Sequence, residues 1–169
     1  EMGLQAVNLG TTGVEGCWVA PLMHTTPEPI TLHRFLAQAY SIGITHAAME
    51  ASSHGLDQKR LDGVDLKVAG FTNFTQDHLD YHETFEAYFA AKAGLFMRVL
   101  GPLGTAVLNV DDPKAVDLLA VCKKRGQKII TVGRGDADLR LIRQKFDATG
   151  QEILFSWDGK SHQVKVPLV

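Results

Sequence analysis

Only two cysteines, Cys17 and Cys122, occur in 169 residues. They lie far apart and fit no metal or redox spacing, so a disulfide framework is excluded. Both read as buried free thiols of a reducing, cytoplasmic compartment. No apolar run approaches the ~18 residues of a membrane-spanning helix, and no secretory signal opens the chain. Lys123-Lys124-Arg125 is the one basic run and the formal net charge is -2, which argues against a nucleic-acid or anionic membrane surface as the main partner. There is no internal repeat and no low-complexity linker. A G-x-x-x-x-G-K-[ST] phosphate loop is also lacking. The stretch LGTTGVEG (9–16) is glycine-rich but carries no lysine, so it does not cradle a nucleotide in that way.

What remains is the composition of a soluble globular protein, 45% hydrophobic and 21% charged, long enough for one domain with a real core. LQAVNLG (4–10) reads as a short buried strand and is followed by a long loop. Thr31 suits the cap of a helix that buries Leu32, Phe35, Leu36 and Ala39 and ends near Gly43. THAAME (45–50) reads as a buried strand and DLKVAGFTNF (65–74) as another, with a polar loop between them. A helix follows from about Thr84 to Leu100, then a strand in GTAVLNV (104–110). The next helix has Asp112 as its cap, Pro113 in its first turn, basic residues in its last and Gly126 at its end. QKIITVG (127–133) gives one more strand.

This alternation predicts an α/β fold, a doubly wound and mostly parallel sheet, over 1–135. Beyond it, LRLIRQKF, EILFSW and HQVKVPLV are separated by turn chemistry, which predicts a small antiparallel β subdomain over 136–169. The chain opens on EMGLQAVNLG and stops in what reads as mid-strand, so a piece of a larger protein is expected. Ligands of such sheets bind at the strands' carboxyl ends.

Lys92 stands out. The apolar stripe Phe85, Tyr88, Phe89, Leu95, Phe96 and Val99 runs on either side of it, where an unpaired ammonium is costly. A snorkelling side chain and a functional amine with a lowered pKa both fit this pattern. Glu50, at the end of an apolar strand, reads equally as a cation ligand or a solvated strand end. In NFTQDHLDYH (73–82), His78 and His82 are spaced i, i+4 and share a face if helical. Zinc needs further ligands that are not evident, and a polar loop capping the next helix fits as well.

The ordered set TTP, MEASSHGLDQKR, FTNFTQDHLDYH, YFAAKAGLF and LNVDD resembles the central domain of the Mur ligases over nearly the whole chain. Within that family it is most similar to the ligases that add the third amino acid to UDP-N-acetylmuramoyl-L-alanyl-D-glutamate in peptidoglycan synthesis. The resemblance implies a P-loop-type fold truncated at its N-terminus. It also implies ATP-dependent amide-bond formation through an acyl phosphate, two Mg2+ ions and an incoming diamino acid. Glu50, His78 and a carbamylated Lys92 then correspond to catalytic metal ligands. Thr25, Thr26, Ser52, Gln58 and Arg60 correspond to substrate-binding positions. Asn109, Asp112 and Asn73 fall at the nucleotide, and His82 lies beside the metal-phosphate site.

Two departures stand out. His24 takes the place of an asparagine common in the family before TTP, and the phosphate loop is missing, so the chain alone is expected not to turn over ATP. The truncation at the N-terminus, which removes a first strand, is expected to leave an exposed sheet edge. Competing readings are a folylpolyglutamate synthase or cyanophycin synthetase-like ligase, a metal-dependent hydrolase built on His54, His78 and His82, and a non-catalytic binding module.

Overall fold

A computed structural model describes residues 3–75 and 81–167. In chain order its elements are β1 (Ala6–Gly10), β2 (Gly13–Gly16), α1 (Pro29–Ser41), β3 (His46–Met49), α2 (Ser53–Asp57), β4 (Leu66–Phe71) and α3 (Phe85–Gly94). A π turn (Leu95–Val99) continues α3, and β5 (Leu100–Asn109), α4 (Ala115–Arg125), β6 (Lys128–Gly133), β7 (Leu139–Asp147), β8 (Gly150–Trp157) and β9 (Lys160–Pro167) complete the fold. The chain forms two compact units, one of Glu1–Asp65 with Gln76–Val99, the other of Leu66–Thr75 with Leu100–Val169.

In the first unit β1 lies between β2, its antiparallel hairpin partner, and β3, which runs parallel to it. Helix α1 buries Leu32, Phe35 and Ala39 at i, i+3 and i+7, and Phe35 stacks on Trp18 at 4.6 Å. The cap of α1 is Glu28 rather than Thr31. Pro29 starts the helix, so Thr31 falls inside its first turn and donates both its amide and its hydroxyl to the Glu28 carboxylate. The Thr31 hydroxyl bond, with the two backbone amides, holds the Glu28 carboxyl below the usual carboxylate range. That capping contribution is therefore present above the ordinary range and is lost as pH falls through the lowered value. Gly43 closes the helix at φ +87, as its position suggested.

Two expectations fail in this unit. Ala47 and Ala48 of β3 are exposed, because among the described residues β3 is the edge of a three-stranded sheet, paired with β1 alone. Cys17 is exposed too, one residue beyond the short strand β2. Apolar character alone does not say which strand of a sheet lies outermost.

The second unit is one six-stranded sheet, β4-β5-β6-β7-β8-β9. Strands β4 to β7 are parallel, and β7, β8 and β9 pair antiparallel. The appended antiparallel strands therefore continue the parallel sheet through β6–β7. Helix α4 buries Ala115, Leu118 and Cys122, and ends at Gly126 with φ +72. Asp112 does not cap it directly. The helix starts at Ala115 after Lys114, and the Asp112 carboxylate instead accepts from the Lys114 amide (2.8 Å) and from the Phe74 amide. The β8–β9 turn has Asp158 and Gly159 both at positive φ, the backbone a two-residue hairpin loop needs to match strand twist.

Leu108, fully buried in β5, has a side chain whose removal leaves a cavity. Leu108→Ala is expected to lower the unfolding free energy by about 2–5 kcal/mol in a urea titration. Burial also pushes the Cys122 thiol above its ordinary range. A thiol-specific reagent is therefore expected to label Cys17 in the native protein and Cys122 only on unfolding.

Candidate functional site

In the first unit the polar side chains gather around Thr26, which is 2% exposed. Its hydroxyl donates to the Glu50 carbonyl (2.8 Å) and accepts from the Ser52 amide (2.9 Å). The loop before α1 is thereby pinned to the segment joining β3 and α2. Gly55 permits the approach, since a Cβ there would lie 2.7 Å from Thr26 Cγ2. Ser52 caps α2 by accepting from the Gly55 amide at 3.1 Å. Lys59 follows α2 in the left-handed region at φ 57 and turns the chain back, a conformation that costs a non-glycine residue of order 1 kcal/mol. That reversal brings the Arg60 guanidinium to the Thr26 carbonyl (2.8 Å) and to Gln58 Oε1 (3.0 and 2.6 Å).

Because Gln58 Oε1 accepts from Arg60, its amide nitrogen faces the other way and donates to the Tyr81 hydroxyl at 3.2 Å. The Tyr81 hydroxyl in turn donates to Asp57 Oδ2 at 2.9 Å. From Tyr81 a column of rings leads inward. His54 lies 4.0 Å and His82 4.8 Å from the Tyr81 ring, Tyr88 lies 5.4 Å from His82, and Lys92 Nζ stands 5.3 Å from the Tyr88 centroid. Lys92 is half-buried on α3, and His82 and Tyr88 are buried. The stripe around Lys92 forms as the spacing suggested, with Tyr88, Leu95 and Phe96 buried.

The structure thus gathers Thr25, Thr26, Glu50, Ser52, Gln58 and Arg60 into one hydrogen-bonded set, with Lys92 at the far end of the ring column. His78 lies outside the described residues. Two members of the set were missed in the sequence. One is Tyr81, hidden inside a motif read for its histidines. The other is Thr11, whose hydroxyl lies 3.1 Å from that of Thr25 and 3.4 Å from Glu50 Oε2. The hydrolase reading gains nothing. His54 and His82 rings are 5.6 Å apart, but no group of three or more histidine, cysteine or acidic side chains converges among the described residues.

In the second unit Asn109 ends β5, donates to the Thr72 carbonyl (2.7 Å) and accepts from the Asp111 amide (3.1 Å). Asp111 in turn holds the Arg134 amide, at 2.9 and 3.0 Å from its two oxygens. Gly133 must be small here, because a Cβ would lie 2.8 Å from Asp111 Oδ1. A cavity of about 380 Å³ opens at the carboxyl ends of β4, β5 and β6, lined by Gly70, Thr72, Val107, Asn109, Asp111 and Val132 among others. Asn73, beside Thr72, is exposed, and Asp112 ties the segment after β4 to the start of α4.

The family model for the Mur ligase middle domain matches residues 2–169. The chain belongs to the Mur ligase family. Among its curated relatives, the UDP-N-acetylmuramoyl-L-alanyl-D-glutamate--2,6-diaminopimelate ligase of Agrobacterium fabrum is 46% identical over 98% of this chain and 34% of its own length. A solved structure titled as the same ligase superposes with a TM-score of 0.82 at 34% identity, covering 96% of this chain and 34% of that one. The chain thus spans about a third of the length of these relatives. The apo form of FPGS from L. casei shares the fold alone, at TM-score 0.66 and 17% identity over 99% of this chain and 47% of its own. No described helix of this Mur ligase domain is long and apolar enough to cross a membrane.

The buried Thr26 hydroxyl is the pin of the first unit's network. Thr26→Val keeps the shape but leaves the Ser52 amide without its acceptor. The expected result is a loss of about 1–3 kcal/mol in stability, with faster hydrogen exchange at the Ser52 amide.

Proposed function

We propose that this chain is the middle domain of a MurE-type ligase, joining 2,6-diaminopimelate to UDP-N-acetylmuramoyl-L-alanyl-D-glutamate at the expense of ATP in the cytoplasm. The observation that carries this reading is the fixed Arg60 guanidinium within the Thr25–Thr26–Glu50–Ser52–Gln58 set, in a chain whose relatives bear that ligase's name. Arg60 is held by Thr26 and Gln58 with further N–H groups to spare, so it can meet an anionic substrate without reordering. Thr25 and Ser52 line the same loops.

In the reaction the substrate carboxylate attacks the γ-phosphorus of ATP, ADP leaves, and the incoming amine displaces phosphate from the acyl phosphate. Positioning and charge stabilisation carry most of such a transfer. The cavity beside Asn109 is of the size small ligands occupy and takes the adenine ring, with Asp112 and Asn73 on the adjoining segments.

The donor set around Glu50 fits Mg2+. Glu50 presents an exposed carboxylate at the end of a parallel strand, with the Thr11 hydroxyl 3.4 Å from its Oε2, and carboxylate and hydroxyl oxygens are the donors this hard cation prefers. Glu50, His78 and a carbamate on Lys92 would hold two ions, which supply charge neutralisation for the phosphoryl group. Lys92 forms the carbamate when its neutral amine attacks CO2 and sheds a proton, so that an anion replaces a cation that would repel the metal. The Lys92 Nζ stands 5.3 Å from the Tyr88 ring centroid, a cation–π distance.

Calorimetric titration of UDP-N-acetylmuramoyl-L-alanyl-D-glutamate into the folded chain tests the reading. Saturable binding that Arg60→Ala weakens at least tenfold, the loss of about 1.4 kcal/mol, is expected. Binding that is indifferent to Arg60, or preference for a folate over the UDP ligand, would reject it.

A further inference from the structure

Thr11 belongs to no motif that suggested the site, yet its one hydroxyl touches both halves of it. It sits in the two-residue loop between Gly10 and Gly13, which pair across the β1–β2 hairpin. Two-residue hairpin loops favour positive φ at their central residues and draw on Asn, Asp and Gly for it. Here the loop is Thr11-Thr12, and neither residue has positive φ. The hairpin therefore uses a pair that suits its twist poorly, so the residue choice calls for another explanation.

The hydrogen bonds supply one. Thr11 Oγ1 lies 3.4 Å from Glu50 Oε2 and 3.1 Å from Thr25 Oγ1. An ionised carboxylate only accepts, so the Thr11 proton goes to Glu50 and the Thr25 proton goes to Thr11. The direction of the chain is thereby fixed: Thr25 gives to Thr11, and Thr11 gives to Glu50. Two further restraints bear on the same glutamate. Its backbone is fastened at both ends, with its amide on the Leu9 carbonyl (3.0 Å) and its carbonyl on Thr26 (2.8 Å). Its other carboxylate oxygen rests over Gly10, where a Cβ would lie 2.8 Å from Oε1. Gly10 and Thr11 together form the floor and wall against which the Glu50 carboxylate is set.

We infer that Thr11 is a positioning residue that couples the substrate loop to the cation site. This rests on the reading of Glu50 as a cation ligand given above. With its proton committed to Thr11, Thr25 offers only lone pairs to a ligand and so selects an N–H or O–H donor there. A ligand that orders Thr25 orders Thr11 with it, and Thr11 then holds the Glu50 carboxylate in one orientation, so a cation arriving at Glu50 has less freedom left to remove. Substrate bound at Thr25 and cation bound at Glu50 thus favour one another, and the coupling is reciprocal.

The test uses the full-length ligase with Mn2+ alone as the paramagnetic probe, its affinity read by electron paramagnetic resonance with and without UDP-N-acetylmuramoyl-L-alanyl-D-glutamate. In the parent protein the substrate is expected to tighten Mn2+ binding by roughly fivefold or more, the lower end of measured couplings. Thr11→Val matches the shape but lacks the hydroxyl, and is expected to abolish that enhancement while the protein still melts as one cooperative unit. Thr11→Ser restores it. A merely structural role for Thr11 would lower the melting temperature and leave the enhancement in place, and that outcome overturns the proposal. Failure of Thr11→Ser to restore the enhancement overturns it as well. Glu50→Gln separates the two levels. Unchanged Mn2+ affinity in Glu50→Gln rejects the cation reading together with this proposal. Weakened affinity there, with coupling intact in Thr11→Val, rejects the role of Thr11 alone.

Discussion

The bond pair made by the buried Thr26 hydroxyl is what the rest of the first unit's site depends on. A single oxygen accepts from the Ser52 amide and donates to the Glu50 carbonyl. It thereby fixes the point where an edge strand ends and a five-residue helix begins. Neither element is stable on its own terms: α2 is far shorter than an isolated helix needs, and β3 has one neighbour among the described residues. With Thr26 in place, the carbonyl that Arg60 needs is also in place, and Arg60 orders Gln58, which orders Tyr81. An unsatisfied polar group buried at that point would cost more than any one of these bonds contributes, which makes the set cooperative.

The second unit is held differently. Its order comes from a continuous ladder of six strands and from the apolar face of α4, with Leu108 and Leu118 in the core. Polar groups tie both ends of these strands, Gln127 and Arg125 at the Leu100 carbonyl and Asn109, Asp111 and Asp112 at the carboxyl ends. Asn109, Asp111 and Asp112 each spend their hydrogen bonds on nearby backbone amides or carbonyls. The cavity beside them is thus shaped by the backbone and needs no ligand to form.

Lys92 occupies a half-buried place on α3 that is costly for a cation. An amine among rings, half-buried and facing Tyr88, loses part of the hydration that favours its charge. The aromatic face returns some of that loss. The column His54–Tyr81–His82–Tyr88 gives the amine a fixed approach and ties it to the loop that carries Gln58.

The alternation of strands and helices, the span of the helix on which Lys92 lies, the basic end of α4 with Gly126 beyond it and the antiparallel strands at the end were all legible in the residues. Each rests on local periodicity or on a local backbone preference. The cap of α1 was misplaced by three residues because Glu28 and Thr31 both carry capping chemistry, and only the backbone decides which stands outside the helix. Hairpin strand β2 and helix α2 were hidden inside polar loops, being too short for a period to show. Ala47 and Ala48 looked buried because an apolar strand reads alike at a sheet's centre and at its edge. Thr11 and Tyr81 were missed because their partners are 14, 39, 23 and 24 positions away in the chain. The sequence by itself determined the elements and the types of chemical group available, since those follow from neighbours along the chain. Only the tertiary structure decided which groups share a hydrogen bond, because that depends on strand order and loop closure across distances no local pattern encodes.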